Sequence, residues 1–492
     1  MKKRNWIALL LALTLLGTLA LPALATQLEE PSQTEETGQT AEPTQEPTIP
    51  EPMAQGDGSG STTAGPDSKQ SLAPESAISL ECQAAMLLEM NTGSLVYGKN
   101  LDLQREPASL TKVMTCLLAM ERGNLDDEIT ISTTALKGLD PNGSSAGLVE
   151  GETLTLKELL YCLMISSAND AAPVIAEYLS GTQEAFVELM NQRARELGCT
   201  GTHFANPHGL HDDDHYTTAR DLSRIMLEAM KFEVFQEIIA TERHYLEPTN
   251  KVSEERILDT TDFFISKKVT DQYYDSRVLG GKTGFTTPAG YCIMFVAEDN
   301  GLKYLCIILG AESYVTEEST TLGSFTQGEK LIDFGFDNYT IAQVLSPLSP
   351  VAQLPVREST DSVVLTPKEA LSTLLPADYD PEKLTLDYAL SNPEGLQAPL
   401  EAGQSVGTVR RFYNGTCVGE TELVTMTAIQ RNKAAAYAVE QTLEKASGHP
   451  WLVVAIVLAV LLVGLVAGVL LLRAASVRKH KKRAAAARGR RR

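Results

Sequence analysis

A serine and a lysine stand three apart in PASLTKVMTCLLAM, residues 107–120, at the start of a segment that otherwise reads as core. Leu110, Val113, Met114, Leu117 and Leu118 form an apolar stripe, and Ala108, Cys116, Ala119 and Met120 leave little polar surface elsewhere, so the pattern predicts a buried helix. Near a helix start a lysine often snorkels to water and a serine often caps, but a helix apolar nearly all round strains that reading. Three apart, Ser109 and Lys112 share one helix face. A desolvated lysine has its pKa pushed down and can serve as a base, and a serine needs such a base to become a nucleophile.

Two further stretches hold polar groups inside apolar surroundings. LMISSANDAAPVIA places Ser166, Ser167, Asn169 and Asp170 between two apolar segments, where Ser166 and Asp170 are expected to cap helices at a corner. GGKTGFTTPAGY, residues 280–291, sets Lys282 and Thr283 among glycines just before a strand. It is not a phosphate loop, because Ser276 stands where the first glycine should be and a strand follows instead of a helix. Four of the seven histidines, His203, His208, His211 and His215, cluster beside three aspartates in HGLHDDDH and its approach, a rival metal site whose spacing fits no zinc pattern.

The elements that must position these residues follow from the surrounding text. AAMLLEMNTGSLVYGKN reads as a hairpin around Asn91-Thr92-Gly93, YCIMFVAE and LKYLCIILGAE as a second hairpin around DNGL, and a further strand is expected near 277. Between them lie helical patterns, including QEAFVELMNQRARELG, which ends at Gly198, and a polar helix around 219–231. Strands that open and close a domain around a helical middle predict an α+β fold whose first and last segments share one antiparallel sheet. Residues 346–430, with Pro and Asn-Gly turns between short alternating runs, predict a small all-β domain without a chemical constellation.

The two ends are of another kind. Residues 1–25 have a basic start, an apolar run and Ala23-Leu24-Ala25, the pattern of a secretory signal peptide. Residues 26–77, rich in Pro, Thr, Glu and Gln, are expected to be a disordered linker. A helical linker is expected over 431–450, with its helix at 431–447, followed by 22 uncharged residues at 451–472, enough to span a bilayer. The basic tail, 473–492, then lies in the cytoplasm and the catalytic domain, 78–345, outside it. Three basic residues fall in the leader and ten in the tail, so the 63 acids face only 29 bases between them, a surface that disfavours nucleic acid as partner. Seven cysteines show no metal-like spacing, and Cys116 and Cys162 read as core.

In order along the chain, SLTK (109–112), SAN (167–169) and KTG (282–284) resemble the three signature motifs of penicillin-binding proteins and serine β-lactamases. FANPHGLHDDDHYTTARDL and GGKTGFTTPAGYC narrow the resemblance to the serine-type D-alanyl-D-alanine carboxypeptidases, over about 78–430. The deacylating Glu-x-x-Leu-Asn element of a class A β-lactamase is missing; GTHFANPHGL stands there instead.

The resemblance implies a β-lactamase/transpeptidase-like domain in which Ser109 is the nucleophile, Lys112 its base, Ser167 a proton relay to the leaving amine, and Asn169 a holder of Lys112 and of the substrate amide. It implies that Lys282 and Thr283 bind the substrate carboxylate, that Gly284 permits close backbone approach, and that the N–H groups of Ser109 and Phe285 form an oxyanion hole. The implied partners are peptidoglycan stem peptides and, as inhibitors, β-lactams, with the bilayer engaged through the C-terminal helix; no metal or cofactor is expected. A D,D-endopeptidase or penicillin hydrolase of the same fold, or a non-catalytic wall-binding protein, are the alternatives. The anchor departs from the many relatives with an amphipathic C-terminal helix.

Overall fold

The computed structural model describes residues 71–315 and 320–432. Its central sheet is built from β1 (Ala84–Glu89), β2 (Ser94–Lys99), β3 (Val278–Thr286), β4 (Gly290–Asp299) and β5 (Leu302–Ala311), antiparallel throughout in the order β2-β1-β5-β4-β3. The first and last strands thus share one sheet, as the sequence pattern implies. Asn300 and Gly301 both take positive φ, which lets the β4–β5 turn follow the right-handed twist of its strands.

Strict alternation along the strands divides the core in two. Met86, Leu88, Met294, Val296, Leu305 and Ile307 face the helical layer. Leu87, Ile293, Phe295, Tyr304, Cys306 and Ile308 face the other side. The helical layer comprises α1 (Lys112–Arg122), α2 (Leu156–Met164), α3 (Ala171–Ser180), α4 (Gln183–Glu196), α5 (Ala219–Ala229) and α6 (Glu233–Ile239), while α7 (Gly323–Asn338) covers the opposite face. Local chemistry sets several helix starts: Thr155, Thr182 and Thr218 each accept a hydrogen bond from the backbone N–H three residues on. Helix α1 is the hub of this layer. Its residues Lys112 to Ala119 are all buried, and it packs against α2, α3, α4 and α5.

After α7 comes an all-β module. Its strands β6 (Tyr339–Leu345), β7 (Ala352–Arg357), β8 (Ser362–Pro367), β9 (Leu371–Pro376), β10 (Leu384–Leu390), β11 (Leu396–Gln397), β12 (Ser405–Tyr413) and β13 (Thr416–Thr425) form a six-stranded sheet, β10-β12-β13-β8-β7-β11, and a separate pair, β6–β9. Val363, Leu365, Val409 and Leu423 centre its core. Strand β6 pairs with β9, so it joins this module ahead of the seam expected between 345 and 346. Likewise Leu72 and Ala73, inside the expected linker, donate their N–H groups to Leu95 and Val96 of β2. Among the described residues no helix is long and apolar enough to cross a membrane. The leader, most of the linker and of the helix expected after 431, the span at 451–472 and the tail lie outside the described residues.

Candidate active site

Ser109 sits in a single 3-10 turn, Ala108–Thr111, that runs straight into α1. Ala108 is held at a positive φ of 47°, a conformation costly to a residue with a Cβ and found where function over-determines the backbone. Lys112, in the first turn of α1, is fully buried. Its Nζ lies 2.8 Å from Ser109 Oγ, 2.8 Å from Asn169 Oδ1 and 2.7 Å from the carbonyl oxygen of His208. Burial is the main force driving its pKa well below the usual lysine value, aided by the charge of Lys282 and opposed by that of Asp170. A neutral amine has two N–H bonds and one lone pair. Once Lys112 is unprotonated, the Asn169 and His208 oxygens, which can only accept, take both N–H bonds and leave the lone pair for the Ser109 hydroxyl; in its protonated form Nζ donates to Ser109 Oγ as well.

The SAN segment is the corner between α2 and α3. Ser167 is buried with a positive φ of 58° and lines the same cleft as Ser109. Asn169 donates its backbone N–H to Ser144 O, which ties the corner to the loop ahead of it. Ser166 folds its hydroxyl back to Cys162 O at the end of α2. Asp170 stands at the N-cap position of α3 but makes no capping bond, contrary to the sequence reading. Its carboxylate instead accepts from Ala146 N–H, Leu148 N–H and the Ser145 hydroxyl, so it braces the loop over 144–148 that faces the cleft.

KTG lies on β3, the edge strand of the sheet. At Gly284 a Cβ would lie 3.0 Å from Ser109 N and 3.1 Å from Pro107 O, tighter than an ordinary contact, so glycine suits the close approach of the strand to the Ser109 turn. Thr283 faces the cleft and donates its hydroxyl to Thr261 Oγ1 at 2.7 Å. Lys282 lies behind it, almost fully buried, with Nζ donating to Thr283 O. Desolvation lowers its pKa to about 7 against the opposing pull of Asp262. Phe285 is half exposed and packs its ring, tilted, against Tyr291 across the β3–β4 turn.

The eight residues singled out from the sequence therefore converge on one cleft of about 750 Å³, with Ser109, Ser167, Asn169, Thr283, Gly284 and Phe285 on its walls and the two lysines beneath. Phe263, Tyr291, Leu322 and Phe325 add an apolar flank, and Asp140, Asn142 and Ser144 a polar rim. Sequence reasoning missed the carbonyl of His208, the brace of Asp170 and the buried Asp262 near Lys282; the first is a backbone group, which no residue type announces. The histidines go separate ways. His203 meets Asp214 O, His208 receives Leu210 N–H, His211 faces Glu106, and His215 contacts Thr111, with no metal-sized group of ligands among the described residues.

Residues 69–313 match the family model of the D-alanyl-D-alanine carboxypeptidases, peptidase S11, and residues 342–431 that of the penicillin-binding protein 5 C-terminal domain. D-alanyl-D-alanine carboxypeptidase DacF of Bacillus subtilis (strain 168) is 30% identical over 352 residues, 70% of this chain and 85% of its own. DacC of Escherichia coli (strain K12) is 29% identical over 370 residues, 72% of this chain and 86% of its own. The crystal structure of penicillin binding protein 5 from Haemophilus influenzae superposes with a TM-score of 0.58 at 25% identity, covering 73% of this chain and 99% of that one. With a relative 30% identical over 85% of that relative's length, and with two consecutive family models matched along this chain, the chain belongs to the peptidase S11 family of D-alanyl-D-alanine carboxypeptidases, which are serine hydrolases.

Proposed function

We propose that the protein removes the terminal D-alanine from peptidoglycan stem pentapeptides through an acyl-enzyme on Ser109. The observation that carries this is the buried Lys112, whose Nζ lies 2.8 Å from Ser109 Oγ and is held by Asn169 Oδ1 and the His208 carbonyl, so that the unprotonated amine spends its two N–H bonds on those oxygens and turns its lone pair to Oγ. Lys112 takes the hydroxyl proton as Oγ attacks the carbonyl between the two D-alanines. The N–H groups of Ser109 and Phe285 receive the developing oxyanion, and Ser167 passes a proton to the leaving amine. Lys282, charged, and the Thr283 hydroxyl hold the terminal carboxylate. Water then releases the shortened peptide. A penicillin, whose ring presents an acyl group beside a carboxylate, acylates the same serine.

In this reading residues 1–25 direct export, 451–472 anchor the chain in the cell membrane, and residues 473–492 stay in the cytoplasm; the charge pattern of the two ends supports it. The test is mass spectrometry of wild type and Ser109→Ala after incubation with penicillin and, separately, with a pentapeptide ending in D-Ala-D-Ala. A penicilloyl adduct on Ser109 and release of one D-alanine, both lost in the variant, are expected. An adduct without released D-alanine would move the assignment to an endopeptidase, and the absence of both to a wall-binding scaffold.

A further inference from the structure

The histidine-rich stretch is not spare. Residues 205–215 form a strap laid across the nucleophile's turn. Asn206 organises its bend, accepting from His208 N–H and Gly209 N–H and donating to Leu210 O. Pro207 O receives the Thr115 hydroxyl of α1, His208 O receives Lys112 Nζ, and Gly209, at a φ of 88°, presses so close to Ala108 that any Cβ would collide with its carbonyl.

His215 closes this strap. Its Nδ1 accepts Ala205 N–H at 3.1 Å, so in the neutral ring the proton sits on Nε2, which donates to Thr111 Oγ1 at 2.8 Å. One ring thus joins the start of the strap to the residue next to Lys112. His215 and Thr111 are both buried, and Phe204 packs edge-on against the imidazole.

We infer that His215 is a positioning residue for acylation: by tethering Ala205 to Thr111 it holds the His208 carbonyl on Lys112 and so aims the lysine lone pair at Ser109. This inference rests on the acyl-enzyme reading above. The tether is closed at neutral pH, because burial, against the pull of Asp212, lowers the His215 pKa to about 4. Without it the strap is free to lift and the carbonyl leaves Nζ, and displacements on the scale of 1 Å at a reacting pair can cost about a hundredfold in rate.

The test compares wild type, His215→Leu, His215→Gln and Thr111→Val in the full chain, measuring the acylation rate of Ser109 by a penicillin, the affinity of the preceding non-covalent complex, and thermal stability. Removing the tether is expected to slow acylation about tenfold to hundredfold at unchanged non-covalent affinity. Gln, which can accept from Ala205 and donate to Thr111, recovers most of the rate. The Leu and Val effects do not add when combined, because both break one connection. Should His215→Leu fail to fold, Thr111→Val and His215→Gln carry the comparison. Acylation by His215→Leu or Thr111→Val at the wild-type rate, or equal losses in Gln and Leu that merely track lowered stability, would overturn the inference. No adduct in the wild-type chain would refute the acyl-enzyme reading itself.

Discussion

In the proposed mechanism two buried lysines divide the labour of this cleft. Lys112 must be neutral to accept a proton, and the positive charge of Lys282 helps to keep it so. Lys282 must be charged to hold a carboxylate, yet desolvation lowers its pKa to about 7. A group whose pKa is lowered to that value loses its proton as the pH rises through it, so the anchoring charge fades above neutrality in the free enzyme. The expected result is a kcat/KM for a D-Ala-D-Ala peptide that falls above about pH 7, carried by KM, while a substrate whose terminal carboxylate is replaced by an amide shows no such limb. Lys282→Gln should abolish the limb and raise KM about tenfold to hundredfold, the range of a lost charge-assisted hydrogen bond. An alkaline limb shared by both substrates would assign it to another group.

At the scale of elements, the parts of the site that could be read in the sequence are those where residue type and local pattern coincide. A buried helix carrying Lys112, a glycine opposite Ser109 and turn residues at Asn300-Gly301 each announce themselves within a few positions. What could not be read is where backbone groups and long-range partners go. The His208 carbonyl reaches Lys112 across 96 positions, and Asp170, in a capping position, spends its carboxylate on a loop more than twenty residues away. Strand β6 escaped the β module because its partner β9 lies beyond two intervening strands. The Asp170 brace has a measurable consequence. Asp170→Ala strands two buried N–H groups and should cost about 2 to 3 kcal/mol in denaturant unfolding, with hydrogen exchange rising first at Ala146 and Leu148. An unchanged midpoint, with the two amides still protected, would mean that the loop holds itself without the carboxylate.

For the whole molecule, the cleft and the proposed anchor occupy separate parts of the chain. All eight site residues lie between Ser109 and Phe285, and the last residue along the chain to line the cleft is Phe325. The β module follows immediately, joined through Leu374, which packs into the same core as Tyr97 and Phe295, and through the Ala377 N–H bond to Asn338 O at the end of α7. The proposed anchor begins only at residue 451, after the last described strand has ended at Thr425. Among the described residues none that lines the cleft lies past Phe325, and a chain ending at residue 432 should acylate with penicillin at the wild-type rate. Its location should change completely: a span of 22 uncharged residues followed by ten bases holds a protein in the membrane, and without it the enzyme should pass to the soluble exported fraction. Cell fractionation of the two chains with a fluorescent penicillin reads both properties at once. Retention of the shortened chain in the membrane fraction would reject 451–472 as the anchor, whereas release with loss of labelling would show that the terminal segment supports the site and does more than hold it in place.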